Sequence, residues 1–332
     1  MPVNFWEKLK KRRRPILALA PLAGFADSAF RQICKKYGAD VLYSEMASAA
    51  ALFYTLGRLN NNKTKGKEAE NKIFKNSTLK LLKFNRQHEK YYVVQLFGSN
   101  PEHFALAARI ISEKIKPDGI DINFGCPIPK IVKQSAGCGL MKDLKRSHAV
   151  IEAVLANTSL PVSIKIRAKA GDINVGDFLK NISDLPLAAV MIHGRTQAQG
   201  FAGEPDWSIV KAARAYFKGV ILANGGINDL AGAKKVLKAS GADGLGLARG
   251  VLGRPWLFKE IKTGKQIDLK PKDIFKIAVS HAALAAKLKG RRGIIELRKH
   301  LVWYVAGLPG AAKIRERLVK VENLKDVKKI LG

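Results

Sequence analysis

The feature that most constrains this chain is a rhythm of short, β-rich apolar runs separated by helix-like stretches, repeated eight times. The runs are Ile16 to Leu19, Val41 to Glu45, Tyr92 to Leu96, Gly119 to Asn123, Val162 to Ile166, Ala188 to His193, Gly219 to Ala223 and Asp243 to Ala248. Between them, Ser28 to Tyr37, Glu102 to Ile115, Leu144 to Ala156, Trp207 to Tyr216 and Leu230 to Ala239 read as helices. Asp27 and Asp229 are of the type that caps helix N-termini, and Gly38 and Gly241 of the type that ends helices. Eight alternations predict a parallel (β/α)8 TIM barrel, an α/β fold of about 250 residues. The chain has 332 residues, which leaves room for one modest further unit. After about Pro255 the β-runs cease, and Ile274, Ile277, Ala278 and His281 fall at helical spacing. A barrel over 1–262 followed by a small all-α helical domain over 263–332 is therefore expected, with the boundary near Lys262 to Lys270.

Two stretches interrupt this pattern. Asn60 to Asn76 holds three consecutive Asn and many Lys and reads as a solvated, basic loop inserted after the second strand, one that RNA would also attract. Near the N-terminus, basic Lys10 to Arg14 followed by Ile16-Leu-Ala-Leu-Ala imitates a secretory leader. Pro21 and Gly24 break the apolar run, however, and an amphipathic helix pattern starts at Asp27; cleavage would also remove the first strand. No run approaches the ~18 apolar residues of a membrane span.

In such barrels the chemistry gathers at the C-terminal ends of the strands. The polar residues found there are Pro21-Leu-Ala-Gly24, Glu45, Gln95, Asn123-Phe-Gly-Cys126, Lys165, His193-Gly-Arg195, Asn224-Gly-Gly226 and Ala248-Arg249-Gly250. The last two sets are glycine-rich and one carries Arg249; the loops after the seventh and eighth strands are where barrels commonly hold a phosphate. A free thiol titrates at about 8.5, so Cys126 is suited to donate a proton, while a thiolate nucleophile would need Lys165 or His193 as its activator. Spacing does not separate the two roles. An inward Lys165 needs a counter-charge, which an anionic cofactor supplies; an outward one would snorkel past the helix layer. His193 beside Arg195 at a strand end reads as a polar ligand pair.

Charge and cysteines narrow the partners. Lys and Arg number 59 against 27 Asp and Glu, a formal +32 that attracts polyanions, nucleic acid first. Residues 260–332 hold 18 Lys/Arg and 7 Asp/Glu, a net +11, where an even spread would give roughly +7. Cys34, Cys126 and Cys138 form no CxxC pair, which argues against disulfides and against a zinc site, and fits the cytoplasm.

With these residues in view, the chain resembles the tRNA-dihydrouridine synthase family from about Leu17 through Arg317. The matching segments, in family order, are Ala20-Pro-Leu-Ala-Gly, Val94-Gln-Leu-Phe-Gly, Asp121-Ile-Asn-Phe-Gly-Cys-Pro, Ser163-Ile-Lys-Ile-Arg, Ile192-His-Gly-Arg-Thr, Ala223-Asn-Gly-Gly-Ile and Gly253-Arg-Pro-Trp. Lys299-His-Leu-Val-Trp-Tyr-Val-Ala-Gly-Leu-Pro-Gly-Ala-Ala resembles the family's helical tRNA-binding domain. The resemblance implies FMN, reduced by NADPH or NADH, and a uridine of folded tRNA as substrate. It implies Pro21, Leu22, Ala23 and Gln95 on the isoalloxazine ring, with Lys165 and His193 also on the flavin. It places Asn224, Gly225, Gly226, Ala248 and Arg249 on the phosphate side, Cys126 as the acid that protonates C5, and Asn123 and Arg195 on the base. Leu22 stands where many relatives carry Met, and Gly226 where some carry Asp, so no side-chain contact is expected from residue 226. A monomer without metal or membrane attachment is expected. Two other readings share parts of this pattern: an FMN barrel acting on a free pyrimidine, like dihydroorotate dehydrogenase, and a catalytically silent tRNA-binding protein. The basic tail argues against the first, and intact Cys126 and Lys165 against the second.

Overall fold

The computed structural model describes residues 4–61 and 77–332. Eight strands form the barrel: β1 (Ile16–Leu19), β2 (Val41–Tyr43), β3 (Tyr92–Phe97), β4 (Gly119–Asn123), β5 (Val162–Arg167), β6 (Ala189–His193), β7 (Val220–Asn224) and β8 (Gly244–Leu247). Each pairs in parallel with the next, and β8 pairs with β1 through Ile16↔Gly244 to Leu19↔Leu247, so the sheet closes on itself. All eight runs expected from the sequence are strands, with ends moved by no more than two residues. Val41 to Glu45 loses both residues from its C-terminal end, because the chain leaves the sheet after Tyr43 and Ala47–Ser48 pairs beside β3 instead.

Alternation along the strands divides the core in two. Leu17, Leu19, Leu42, Val94, Leu96, Ile120, Ile122, Ile164, Ile166, Val190, Ile192 and Leu247 face the surrounding helices in one buried cluster. Ile16, Ala18, Val41, Tyr43, Val93, Ala189, Met191, Val220 and Leu222 face the barrel axis in another. Apolar residues on both faces explain why the runs read as continuous rather than alternating. Helix Phe5–Lys10, capped by the Asn4 side chain, closes the N-terminal end: Phe5, Trp6 and Leu9 join the axial cluster. Burying each such side chain stabilises the fold by about 1.5–3 kcal/mol. The basic segment that imitated a leader is thus built into the barrel, with Arg14 on Asp40 at 2.7 Å and Ile16–Leu19 as β1. No helix among the described residues is long and apolar enough to cross a membrane. Of the stretch Asn60 to Asn76, the first two residues end the helix Ala49–Asn61 rather than open a loop; the remainder lies outside the described residues.

Beyond β8 the chain is helical: Leu257–Thr263, Pro271–Tyr304, Ala311–Leu318 and Leu324–Leu331. Gly290, at φ 59° and ψ −143°, breaks the long helix in a backbone conformation essentially confined to glycine. The chain doubles back there, so that His281 lies 3.2 Å from the Tyr304 hydroxyl and packs edge-on against His300. Ala278, Ala282, Ile294, Leu297, Leu301, Leu318, Val327 and Leu331 make a separate core, which Ala29 and Trp256 join from the barrel side. A His300 nitrogen lies 3.2 Å from the Phe25 carbonyl oxygen, and Lys289 pairs with Asp27 at 2.8 Å, so the helical region is tied to the loop that follows β1.

Candidate active site

Continuing the inward alternation toward the C-terminal ends of the strands, apolar residues give way to Gln95, Asp121, Asn123, Ser163, Lys165, Arg167, His193 and Asn224. Because every barrel strand is parallel, these polar side chains collect at one end, above the Trp6 plug. The lowest tier is a hydrogen-bonded floor. Gln95 Nε2 donates to Asp121 Oδ2 at 2.7 Å, Ser163 Oγ donates to Asp121 Oδ1 at 2.6 Å, and Asn123 Nδ2 donates to Gln95 Oε1 at 2.9 Å.

Cys126 sits just above this floor. After β4 the chain turns tightly, with the Asn123 side-chain oxygen accepting from the N–H groups of Gly125 and Cys126, both at 3.0 Å. Cys138 N–H donates to the Cys126 carbonyl at 3.0 Å, which ties the turn to the helix Cys138–Met141. The thiol is partly exposed. Burial pushes its pKa up, and a backbone hydrogen bond, Lys165 and Arg167 oppose only part of that effect. It is therefore a protonated thiol at neutral pH, which favours proton donation over the thiolate role.

Cations crowd the same mouth. Lys165 points inward, with no hydrogen bond or ion pair among the described residues; burial, then Arg167, lower its pKa to about 8. The same causes, with Lys165 itself and further Arg residues, lower His193 to about 2, so its ring is neutral. Arg167 is buried and donates to the carbonyls of Gly125, Thr196 and Gly200 at 2.8–2.9 Å, bridging the Cys126 turn to the loop after β6. Arg195 donates to the Gly203 carbonyl at 2.8 Å, yet its Nη1 is buried without a partner. An unsatisfied buried guanidinium nitrogen and an unpaired ammonium both call for an anionic or carbonyl-bearing occupant.

On the β7–β8 side, Asn224 donates to the Gly246 carbonyl at 2.7 Å, and Gly225 and Gly226 follow at positive φ. A Cβ on Gly225, at φ 108°, would lie 2.3 Å from the His193 ring, so only glycine lets the backbone pass there. Ala248 continues the inward face of β8. Arg249 is exposed, with its guanidinium 4.4 Å from the centre of the Phe201 ring. Pro21, Leu22 and Ala23 follow β1, which pairs with β8, and lie in a turn where the Leu22 carbonyl accepts from the N–H groups of Phe25 and Ala26. Glu45 accepts from the neighbouring Gly24 N–H. The strand-end residues read from the sequence as site candidates thus lie at this one end of the barrel.

Four residues of the site were missed in the sequence: Asp121, Ser163, Arg167 and Phe201. Arg167 could have been found, since 163, 165 and 167 share one face of β5; the same alternation points to Asp121. Phe201 carried no signal: it reaches Arg249 and Arg167 only because the loop after β6 folds back. No group of three or more His, Cys, Asp or Glu among the described residues could hold a metal.

Comparison with known proteins agrees with the barrel fold and gives the family. The solved structure of the old yellow enzyme homologue of Zymomonas mobilis aligns over 78% of this chain and 94% of its own, at a TM-score of 0.50 and 13% identity, a likeness of fold alone. The "Probable tRNA-dihydrouridine synthase 1" of Synechocystis is 31% identical over 323 residues, covering 94% of this chain and 84% of its own length. "tRNA-dihydrouridine synthase B" of Pseudomonas syringae is 32% identical over 315 residues, covering 92% and 87%. The sequence model described as "Dihydrouridine synthase (Dus)" matches residues 18–331, and on that match the chain belongs to the dihydrouridine synthase family.

Proposed function

We propose that this chain reduces the C5=C6 bond of uridines in tRNA to 5,6-dihydrouridine, using FMN and a nicotinamide nucleotide as the source of electrons. The observation that carries the reading is the single polar mouth in which a protonated Cys126 thiol lies among unpaired cationic groups. The residues present fit FMN: a glycine-only passage at Gly225 next to Arg249 for the phosphate, the unpaired Lys165 ammonium for the electron-rich pole of the ring, and the Gln95 amide for the ring's polar edge. Neutral His193 adds a ring nitrogen, and Pro21, Leu22 and Ala23 a rim to pack against. Gly225, Gly226 and Asn224 bring backbone to the phosphate side, with Ala248 beside them.

Bound and reduced, FMN supplies the hydride that C6 receives. The proton for C5 comes from this chain: Cys126 Sγ–H donates it, and the turn held by Asn123 fixes where that sulfur stands. As C6 is reduced, negative charge develops at C5 and the C4 carbonyl. The buried, unpartnered Nη1 of Arg195 is a donor suited to that charge, as is the second amide hydrogen of Asn123, which meets only the weakly accepting Met46 sulfur at 3.7 Å; preorganised donors of this kind act most strongly where water is excluded. A uracil ring reaches this depth only after leaving its stack, so the RNA must be held while one nucleotide is flipped out. We assign that task to the basic residues of 263–332, which makes 1–262 the catalytic domain and 263–332 the tRNA-binding domain of a cytoplasmic monomer. A nicotinamide nucleotide, NADPH or NADH, rather than a free pyrimidine's own redox chemistry, is the electron source in this reading.

The test is to map dihydrouridine by mass spectrometry in tRNA from cells with and without the gene, and then to restore it with purified protein, FMN and NADPH. Loss of the modification at defined positions, recovered in vitro, supports the reading. An unchanged map, or turnover of free pyrimidine without RNA, refutes it.

A further inference from the structure

The hydrogen-bonded floor of the mouth has a direction, and that direction is set at both ends by groups that cannot reverse. At the upper end, the peptide N–H groups of Gly125 and Cys126 only donate, so they draw the oxygen of Asn123 toward them and turn its amino group to Gln95. At the lower end, an ionised Asp121 only accepts, and it draws the Gln95 amino group at 2.7 Å. Both constraints impose the same orientation on Gln95. Its backbone is held as well, since Gln95 N–H donates to Ser44 Oγ at 2.9 Å. Burial pushes the Asp121 carboxyl up to about 6, against the hydrogen bonds from Gln95 and Ser163 and the nearby Lys165 charge, so it is mostly ionised at neutral pH.

A carboxamide has two N–H donors and two acceptor lone pairs. Asp121 and Asn123 use one of each, which leaves Gln95 with one donor and one acceptor in a fixed arrangement. That pair complements a cyclic imide, whose edge alternates carbonyl, N–H and carbonyl. We propose that Asp121 is a positioning residue that fixes the orientation of the Gln95 amide, so that Gln95 Oε1 accepts from the imide N–H of the flavin and Nε2 donates to an adjacent carbonyl. Asp121 has no exposed surface, so nothing in the mouth touches it; it acts through the Gln95 amide and through the charge it presents to Lys165, and the second effect cancels in a ratio of two flavins. The inference rests on the reading of Gln95 as a flavin ligand and adds what sets its recognition.

The experiment compares the affinity of the full-length protein for FMN and for 3-methyl-FMN, which lacks the imide N–H, by flavin fluorescence titration. In the wild type the methyl group should weaken binding roughly ten-fold, the loss of one net hydrogen bond of about 1.4 kcal/mol. In Gln95→Leu the ratio should fall to about one, since the acceptor is gone. Asp121→Leu is near in size but accepts nothing, which leaves Asn123 alone to hold the Gln95 amide; its ratio should fall below the wild-type value and toward one, although residue 121 never touches the flavin. Asp121→Asn can still accept from Gln95 while turning its amino group to Ser163, and should keep the wild-type ratio. Asp121→Ala, checked by circular dichroism, replaces the leucine variant if that does not fold. A wild-type ratio in the leucine or alanine variant, or a lost ratio in Asp121→Asn, overturns the positioning role while leaving FMN binding intact. A wild-type chain that binds neither flavin overturns this inference and the functional reading together.

Discussion

Raising the pH from 7 to 9 should weaken the binding of FMN, and Lys165 should set the amount. Burial, then the Arg167 charge, hold the Lys165 ammonium at about 8, with Asp121 pulling the other way. An anionic ligand beside the ammonium stabilises its charged form, so the pKa is higher in the complex than in the free protein. The affinity gained from that charge is therefore fully present below about 8 and is lost as the pH rises through it toward the pKa of the complex. At pH 9 about one free molecule in ten still carries the proton, so the apparent affinity should drop about ten-fold, or ~1.4 kcal/mol. Other groups facing the mouth stay out of this window: His193 lies at about 2, Cys138 at about 11, and burial lifts Cys126 above its usual value. The second ionisation of a phosphate, near 6, is complete by pH 7.5. Lys35 also titrates at about 8, but its ammonium is engaged with the Asp40 carbonyl, away from the mouth. The assay is a fluorescence titration of FMN at half-unit steps from pH 7 to 9, run in parallel on Lys165→Met. The variant should bind roughly 10- to 100-fold more weakly at pH 7, the worth of a hydrogen bond to a charged group, and show no slope. A flat profile in the wild type, or the same slope in both proteins, would refute the argument.

Cys126→Ala should bind FMN as the wild type does and lose about 10²- to 10⁴-fold in tRNA turnover, the usual contribution of a general acid; undiminished turnover would remove the thiol from the mechanism. Arg31 and Glu89 form a fully buried pair at 2.6 Å, in which Glu89 also accepts from Ser28 and the Asn85 N–H. Glu89→Ala strands the guanidinium and should cost about 3–5 kcal/mol in denaturant unfolding, whereas a loss below ~1 kcal/mol would show that the neighbouring carbonyls suffice. Burial lowers His281 to about 4 and holds His300 well below its usual value, although Asp27 opposes the shift in both. Both rings are therefore neutral in the folded protein, and the unfolded chain binds more protons below about pH 6.5. Stability should be complete above that pH and fall as the pH drops toward 4, by about 3 kcal/mol from His281 alone; His281→Gln should blunt the pH dependence of the melting temperature, and an equally steep profile would exclude this histidine as its source.

Much of the fold was legible because a barrel strand carries its own signature. Val162-Ser-Ile-Lys-Ile reads as a buried strand whichever way the neighbours lie, and eight such runs leave little choice of architecture. Lys165 was legible as a site residue for the same reason, since an ammonium inside an apolar run needs a counter-charge. The Gly-Gly pair at 225 and 226 was legible as a place where backbone must pass closely; that the neighbour is the His193 ring was not. The stretch after Asn60 was misread at its start, because helix Ala49–Asn61 continues through asparagines that usually end helices.

What the sequence alone determined is the order of strands and helices, the face of each strand on which a side chain stands, and the surplus of positive charge. These are local properties, set by the period of the backbone and by composition. Which groups meet across the barrel was decided only by the tertiary structure: that Gln95 lies between Asp121 and Asn123, that Arg167 joins two loops, that Phe201 folds over Arg249, and that His300 reaches the loop after β1. Such contacts depend on the register in which eight separate strands close and on how far each loop folds back. Both follow from the packing of the whole core, which no single segment encodes.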